Sequence, residues 1–118
     1  LVLVGLAGSR LLDAGARHAL RTAAEGFADR RYRADGSLVP RTEPHALVHD
    51  VRDAVAQALS LARGEGVVAD DGTRVAVRCD TICLHGDGPH AVAAARAIRA
   101  ALAAAGVGVA ALAGVRAA

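Results

Sequence analysis

His85 and Asp87 stand two residues apart in the stretch D-T-I-C-L-H-G-D-G-P, Asp80 to Pro89, each followed by glycine. Histidine titrates near neutrality and a carboxylate can orient it, so the pair has the make-up of a general acid–base couple. The same side chains could be two metal ligands. In the plainer reading Asp87 caps the helix that follows and His85 is solvated. Gly86 and Gly88 let backbone approach a ligand, and the free N–H groups of the helix behind Pro89 suit a phosphate or carboxylate. A second polar group, Glu25, Asp29 and Arg30, follows a predicted strand. A carboxylate there could move a proton, and an arginine could grip a carboxylate or stabilise developing negative charge. A surface ion-pair cluster is the alternative. Arg41, between Pro40 and Thr42, could reach the same pocket or brace its loop. His45 and His49 read as loop-surface residues and His18 as a helix-surface one. No Walker A loop, dinucleotide fingerprint, G-x-S-x-G elbow or H-E-x-x-H motif is present.

These residues need strand ends to hold them. Leu1 to Leu6 is a continuous apolar run of the kind buried in parallel sheets. Gly8 turns the chain, and Ser9 is a suitable N-cap for a helix of about a dozen residues whose stripe is Leu11, Leu12, Ala16, Ala19 and Leu20. Gly15 costs that helix up to about 1 kcal/mol. Arg21 to Ala24 reads as a short strand. From there to His49 no periodicity is visible, and Asp35-Gly36, Pro40 and Pro44 break regular structure. The mixture of charges with Phe27, Leu38 and Val39 favours an ordered loop.

Asp50 opens the next helix, with Val51, Ala54, Val55, Ala58, Leu59 and Ala62 on its apolar face and Gly64 as its C′ residue. Gly66 to Val77 reads as a hairpin around Asp70-Asp71-Gly72. Its second arm leads through Cys79 into the Asp80–Leu84 strand. Pro89 suits the first turn of the last helix, whose stripe is Val92, Ala95, Ile98, Leu102 and Ala105. Gly106 ends it, and Val107 to Leu112 is read as a final strand. The order implies an α/β fold with parallel strands and an inserted β-hairpin.

The composition narrows the function. Aromatic residues make up 2% of the 118, too few for a surface that stacks bases. The net charge is +2, and the arginines are dispersed among acids, so no nucleic-acid partner is expected. The opening apolar run is too short to cross a bilayer, so no membrane partner is expected either. Cys79 and Cys83, four apart in an extended segment, would have Cα atoms about 13 Å apart, beyond the ~7 Å reach of a disulfide. They read as buried thiols in a reducing cytoplasm. The chain begins inside an apolar run and contains no methionine, which suggests a fragment.

E-G-F-A-D-R-R-Y (Glu25 to Tyr32), D-G-S-L-V-P-R (Asp35 to Arg41) and D-T-I-C-L-H-G-D (Asp80 to Asp87), in this order and at this spacing, resemble the LamB/YcsF family, described as the A subunit of the bacterial 5-oxoprolinase. The opening L-V-L-V-G-L-A-G-S also fits. The resemblance implies an irregular β/α barrel of the deacetylase-like kind, of which residues 1–118 would be one partial domain, the C-terminal half. It implies ATP-dependent opening of 5-oxoproline (pyroglutamate) to L-glutamate, with ATP as co-substrate, with or without Mg2+, in a complex with subunits B and C. The matching positions are Glu25, Asp29, Arg30, Arg41, His85 and Asp87. Catalysis would fall to His85, Asp87, Glu25 and Asp29. Arg30, Arg41 and Gly86 would bind substrate or phosphate, and no residue is assigned to a metal. His45 stands where the family usually has glycine, and the family's N-terminal half, with its other polar motifs, is not present. Two further readings are a metal-dependent amide hydrolase of deacetylase type and a non-catalytic interaction module.

Overall fold

A computed structural model describes residues 1–112. The elements run β1 (Val2–Leu6), α1 (Arg10–Arg17), β2 (Arg21–Phe27), α2 (Val51–Ala62), β3 (Val67–Val68), β4 (Arg74–Val75), β5 (Thr81–Cys83) and α3 (Ala91–Ala104). β1, β2 and β5 form a parallel sheet in that order, and β3 and β4 form the expected antiparallel hairpin. The register sets Leu6 beside Glu25, Glu25 beside Thr81, and Phe27 beside Cys83. Partners in register share a sheet face, so Leu6, Glu25, Phe27 and Cys83 lie on one face and Gly5, Ala24, Gly26 and Ile82 on the other.

The helices cover the second face. A Cβ on Gly26 would stand 3.2 Å from Leu61 of α2, and one on Gly15 of α1 would stand 2.5 Å from Leu3 Cδ2 and 3.0 Å from Thr22 Cγ2. Gly15 therefore lets α1 lie directly on β1 and β2, which offsets its cost to helix propensity. Ala54 and Ala58 of α2 meet Ile98 and Leu102 of α3 in one buried cluster with Ala28 and Val48. Alanine on the facing turns lets the two helices approach closely.

The helix faces differ in part from the sequence expectation. α1 has eight residues, Leu20 lies beyond its end and is exposed, and Leu11 is half exposed, while Leu12, Ala14 and Gly15 are its more buried positions. In α3 the buried positions are Ala94, Ile98 and Leu102, while Val92 is 64% exposed. This helix begins at Ala91 with His90 as its N-cap, so Pro89 precedes it and Asp87 does not cap it. Residues 107–112, read from the sequence as a final strand, do not form one. All three helices end alike: Ala19, Gly64 and Gly106 take positive φ, and the residue after each donates back into the last turn, the Schellman arrangement. At α3 this turns Val107 away with its N–H bound to Leu102 O at 2.9 Å.

The segment between β2 and α2 is ordered. Arg31 N–H donates to Ala46 O, Val39 N–H to Arg31 O and Val48 N–H to Asp29 O, each at 2.9 Å. Tyr32, Val39, Ala46 and Val48 are buried, and the loop packs onto the body of the fold: Val48 joins the α2–α3 cluster, and Tyr32 clusters with Leu61, Val67 and Val77. Tyr32 is fully buried, and its hydroxyl accepts the Phe27 N–H at 2.9 Å. Burial pushes its phenol pKa up to about 12.

Candidate active site

Strands β2 and β5 are parallel neighbours, so their C-terminal ends deliver Asp29 and His85 to the same corner. The His85 N–H donates to Asp29 Oδ2 at 2.8 Å, and His85 Nδ1 lies 2.9 and 3.0 Å from the two carboxylate oxygens. The Phe27 ring stacks against the imidazole at 5.8 Å and 15°. An ionised carboxylate only accepts hydrogen bonds. Nδ1 of a neutral His85 must therefore carry the proton, which leaves Nε2 free to accept one. A neutral His85 is thus held in one tautomer by Asp29, an arrangement with the geometry that general-base chemistry requires.

A cavity of about 240 Å³ opens beside this pair. Asp29, His85, Asp87 and Arg41 line it, with the N-termini of α2 (Asp50, Val51) and α3 (His90, Ala91). Asp87 and Arg41 are exposed. Nothing lies within 4 Å of the place a Cβ on Gly86 would occupy, so a ligand has room against that backbone. The start of α2 is closed by its own Asp50, which accepts the Arg52 N–H at 2.7 Å. α3 has no side-chain cap and no acid in its first turn.

The remaining expected residues lie elsewhere. Glu25 is inside β2 rather than after it, because that strand runs on to Phe27. It does not line the cavity, but with Asp29 it contributes to the raised pKa of the Cys83 thiol, for which burial is the larger cause. Arg30 is buried, and its Nη2 donates to Val39 O at 2.8 Å while Nε has no partner. Desolvation, then the nearby Arg41 charge, lowers its pKa from the usual arginine value. It braces the loop behind Asp29. His45 lies 3.8 Å from Glu43 and 3.9 Å from Asp70, outside the cavity.

Two cavity histidines, His49 and His90, were not among the expected site residues. Their signal is positional, since each directly precedes or forms the N-cap of a helix that rims the cavity. Among the described residues no three His, Cys, Asp or Glu side chains gather in a metal-ligating arrangement. No helix among them is long and apolar enough to cross a membrane. A groove of about 420 Å³ follows the outer edge of β5, walled by Ile98 and Leu102 and by residues 107–110.

Residues 1–117 match the sequence model of the LamB/YcsF family. The chain is 54% identical over 114 residues to the 5-oxoprolinase A subunit of Methylococcus capsulatus, an alignment that covers 97% of this chain and 44% of that protein. It is similar in structure to a lactam utilization protein from Thermus thermophilus, with a TM-score of 0.85 and 40% identity over 92% of this chain and 43% of that one. The chain therefore spans less than half the length of these relatives.

Proposed function

The chain belongs to the LamB/YcsF family, and from that premise we propose that it supplies the His85 corner of a 5-oxoprolinase A subunit, which opens 5-oxoproline to L-glutamate as ATP becomes ADP and phosphate. The observation that carries this reading is the His85–Asp29 pair, with Nε2 left unprotonated, beside a cavity that also holds Arg41. The names of the relatives, a 5-oxoprolinase component and a lactam utilization protein, support the substrate class.

An unstrained five-membered lactam resists water. Transfer of the ATP γ-phosphoryl group to the lactam oxygen forms an O–P bond, releases ADP and makes the carbonyl carbon electrophilic. Water adds to that carbon as His85 Nε2 takes its proton. The ring C–N bond then breaks, with the proton returned to the departing nitrogen. An acyl phosphate remains, and a second water releases it as glutamate and inorganic phosphate. Arg41 is placed to hold the substrate carboxylate or a phosphate, and the open backbone at Gly86 leaves it room. Asp87, on the same wall, is a second candidate for proton transfer. Mg2+ would enter as the counter-ion of the nucleotide.

Among the described residues the parallel sheet ends at β1 on one side and β5 on the other. In this proposal these edges continue into the remaining strands of an irregular β/α barrel, with residues 1–118 as its C-terminal part. Subunits B and C complete the complex, and the two free thiols suit the cytoplasm. The test is ATP-dependent release of glutamate from 5-oxoproline, using the chain restored to the length of its relatives and supplied with B and C. Release by that assembly, and none by residues 1–118 alone, is the expected result. No release from the assembly would overturn the assignment.

A further inference from the structure

The chain contains one glutamine and no asparagine, and its single carboxamide lies directly behind the candidate base. Gln57, half-buried on α2, directs Nε2 to Phe27 O at 2.6 Å and to Arg30 O at 2.8 Å. Both partners are carbonyls, which only accept, so the amide nitrogen must face them and each of its protons has one partner. Phe27 and Arg30 bracket the turn that presents Asp29. Phe27 supplies the ring under His85, and Asp29 supplies its carboxylate. The intervening backbone is tied from other sides: Ala28 N–H donates to Cys83 O at 3.0 Å, and Asp29 O accepts from Val48 N–H at 2.9 Å.

We propose that Gln57 is a positioning residue, whose carboxamide clamps the Phe27 and Arg30 carbonyls and so fixes the turn that holds His85 in its Nδ1–H tautomer. The proposal rests on His85 being the proton acceptor, but its test needs no substrate. Among uncharged side chains only a carboxamide offers two N–H donors on one nitrogen, which spanning two carbonyls requires. A carboxylate at position 57 sets negative charge against both carbonyls, and a methionine leaves them unpaired.

The test is the ¹⁵N spectrum of the His85 imidazole in the 118-residue chain, taken where the ring is neutral. The wild-type ring is expected to show a protonated Nδ1 and an unprotonated Nε2. Gln57→Glu and Gln57→Met are expected to convert this to a mixture of tautomers. Ser60→Ala, which removes another α2 hydrogen bond, the 2.7 Å one to Gly66 O, is expected to leave the tautomer unchanged. Folded Gln57 variants that keep the single Nδ1–H form would overturn the proposal. If neither variant folds, the wild type decides. Its two Gln57 amide protons should exchange with solvent at least about tenfold more slowly than those of an exposed amide, and exchange at the exposed rate would overturn it. A fully active His85 variant would sink the catalytic reading alone and leave this tautomer result standing.

Discussion

After β1 the chain turns through Ala7 and Gly8 and enters α1 at Arg10, whereas after β5 it runs from Leu84 to His90 before α3 begins. Both corners lie at the same edge of one parallel sheet. The first is closed by short backbone links, Ala7 N–H to Glu25 O and Ser9 N–H to Leu6 O, both 3.0 Å. It carries no titratable side chain between Leu6 and Ser9, and Gly15 draws its helix tightly onto the strands. The second has its helix set back, an open backbone at Gly86 and the His85–Asp29 pair at its mouth. A parallel sheet offers a site at every strand end. Here the length of the turn and the polarity of its residues decide which end opens into a polar cavity.

Substitutions should separate the two corners. The largest effect belongs to the second: His85→Gln in the full-length assembly is expected to lower kcat by about a hundred- to ten-thousandfold, read by glutamate release, with the thermal midpoint of the chain little changed.

Next comes the floor of that corner. The Tyr32 phenol has a folded pKa raised to about 12, against about 10 unfolded. Between these values the unfolded chain loses its proton first, so stability is intact below pH ~10 and falls as pH rises toward 12, by on the order of 2 kcal/mol. The two cysteine thiols, also raised by burial, add loss in the same direction. Urea titrations on either side of pH ~10 should show a decline that Tyr32→Phe reduces.

The first corner should fail only structurally. Gly15→Val forces a side chain against Leu3 and Thr22 and is expected to cost about 2 kcal/mol in chemical denaturation, with the His85 tautomer unaltered. The smallest effect is a gain. Ala19 ends α1 at φ 56°, where glycine is unstrained, so Ala19→Gly should raise stability by up to about 1 kcal/mol.

Much of this contrast can be read from the sequence. The apolar runs place β1 and β5, Asp50 does cap α2, and the Asp70-Asp71-Gly72 turn joins a real hairpin. His85, followed by Gly86, stands at a strand end, as expected. Its partner was not legible: the nearest carboxylate in sequence is Asp87, but the parallel pairing of β2 with β5 brings Asp29 across 56 positions. Register is a property of the assembled sheet, which no local spacing reveals. The same holds for Gln57, whose partners belong to another element. It holds too for the stripe of α3, where alanines on every side leave the periodicity too weak to orient the helix.

The most direct test of the central claim compares Asp29→Asn with Asp87→Asn in the full-length assembly, by the kcat of ATP-dependent glutamate release. If Asp29 sets the tautomer of His85, Asp29→Asn should lose on the order of a hundredfold and Asp87→Asn markedly less. The reverse ranking would contradict the account and make Asp87 the residue that works with His85.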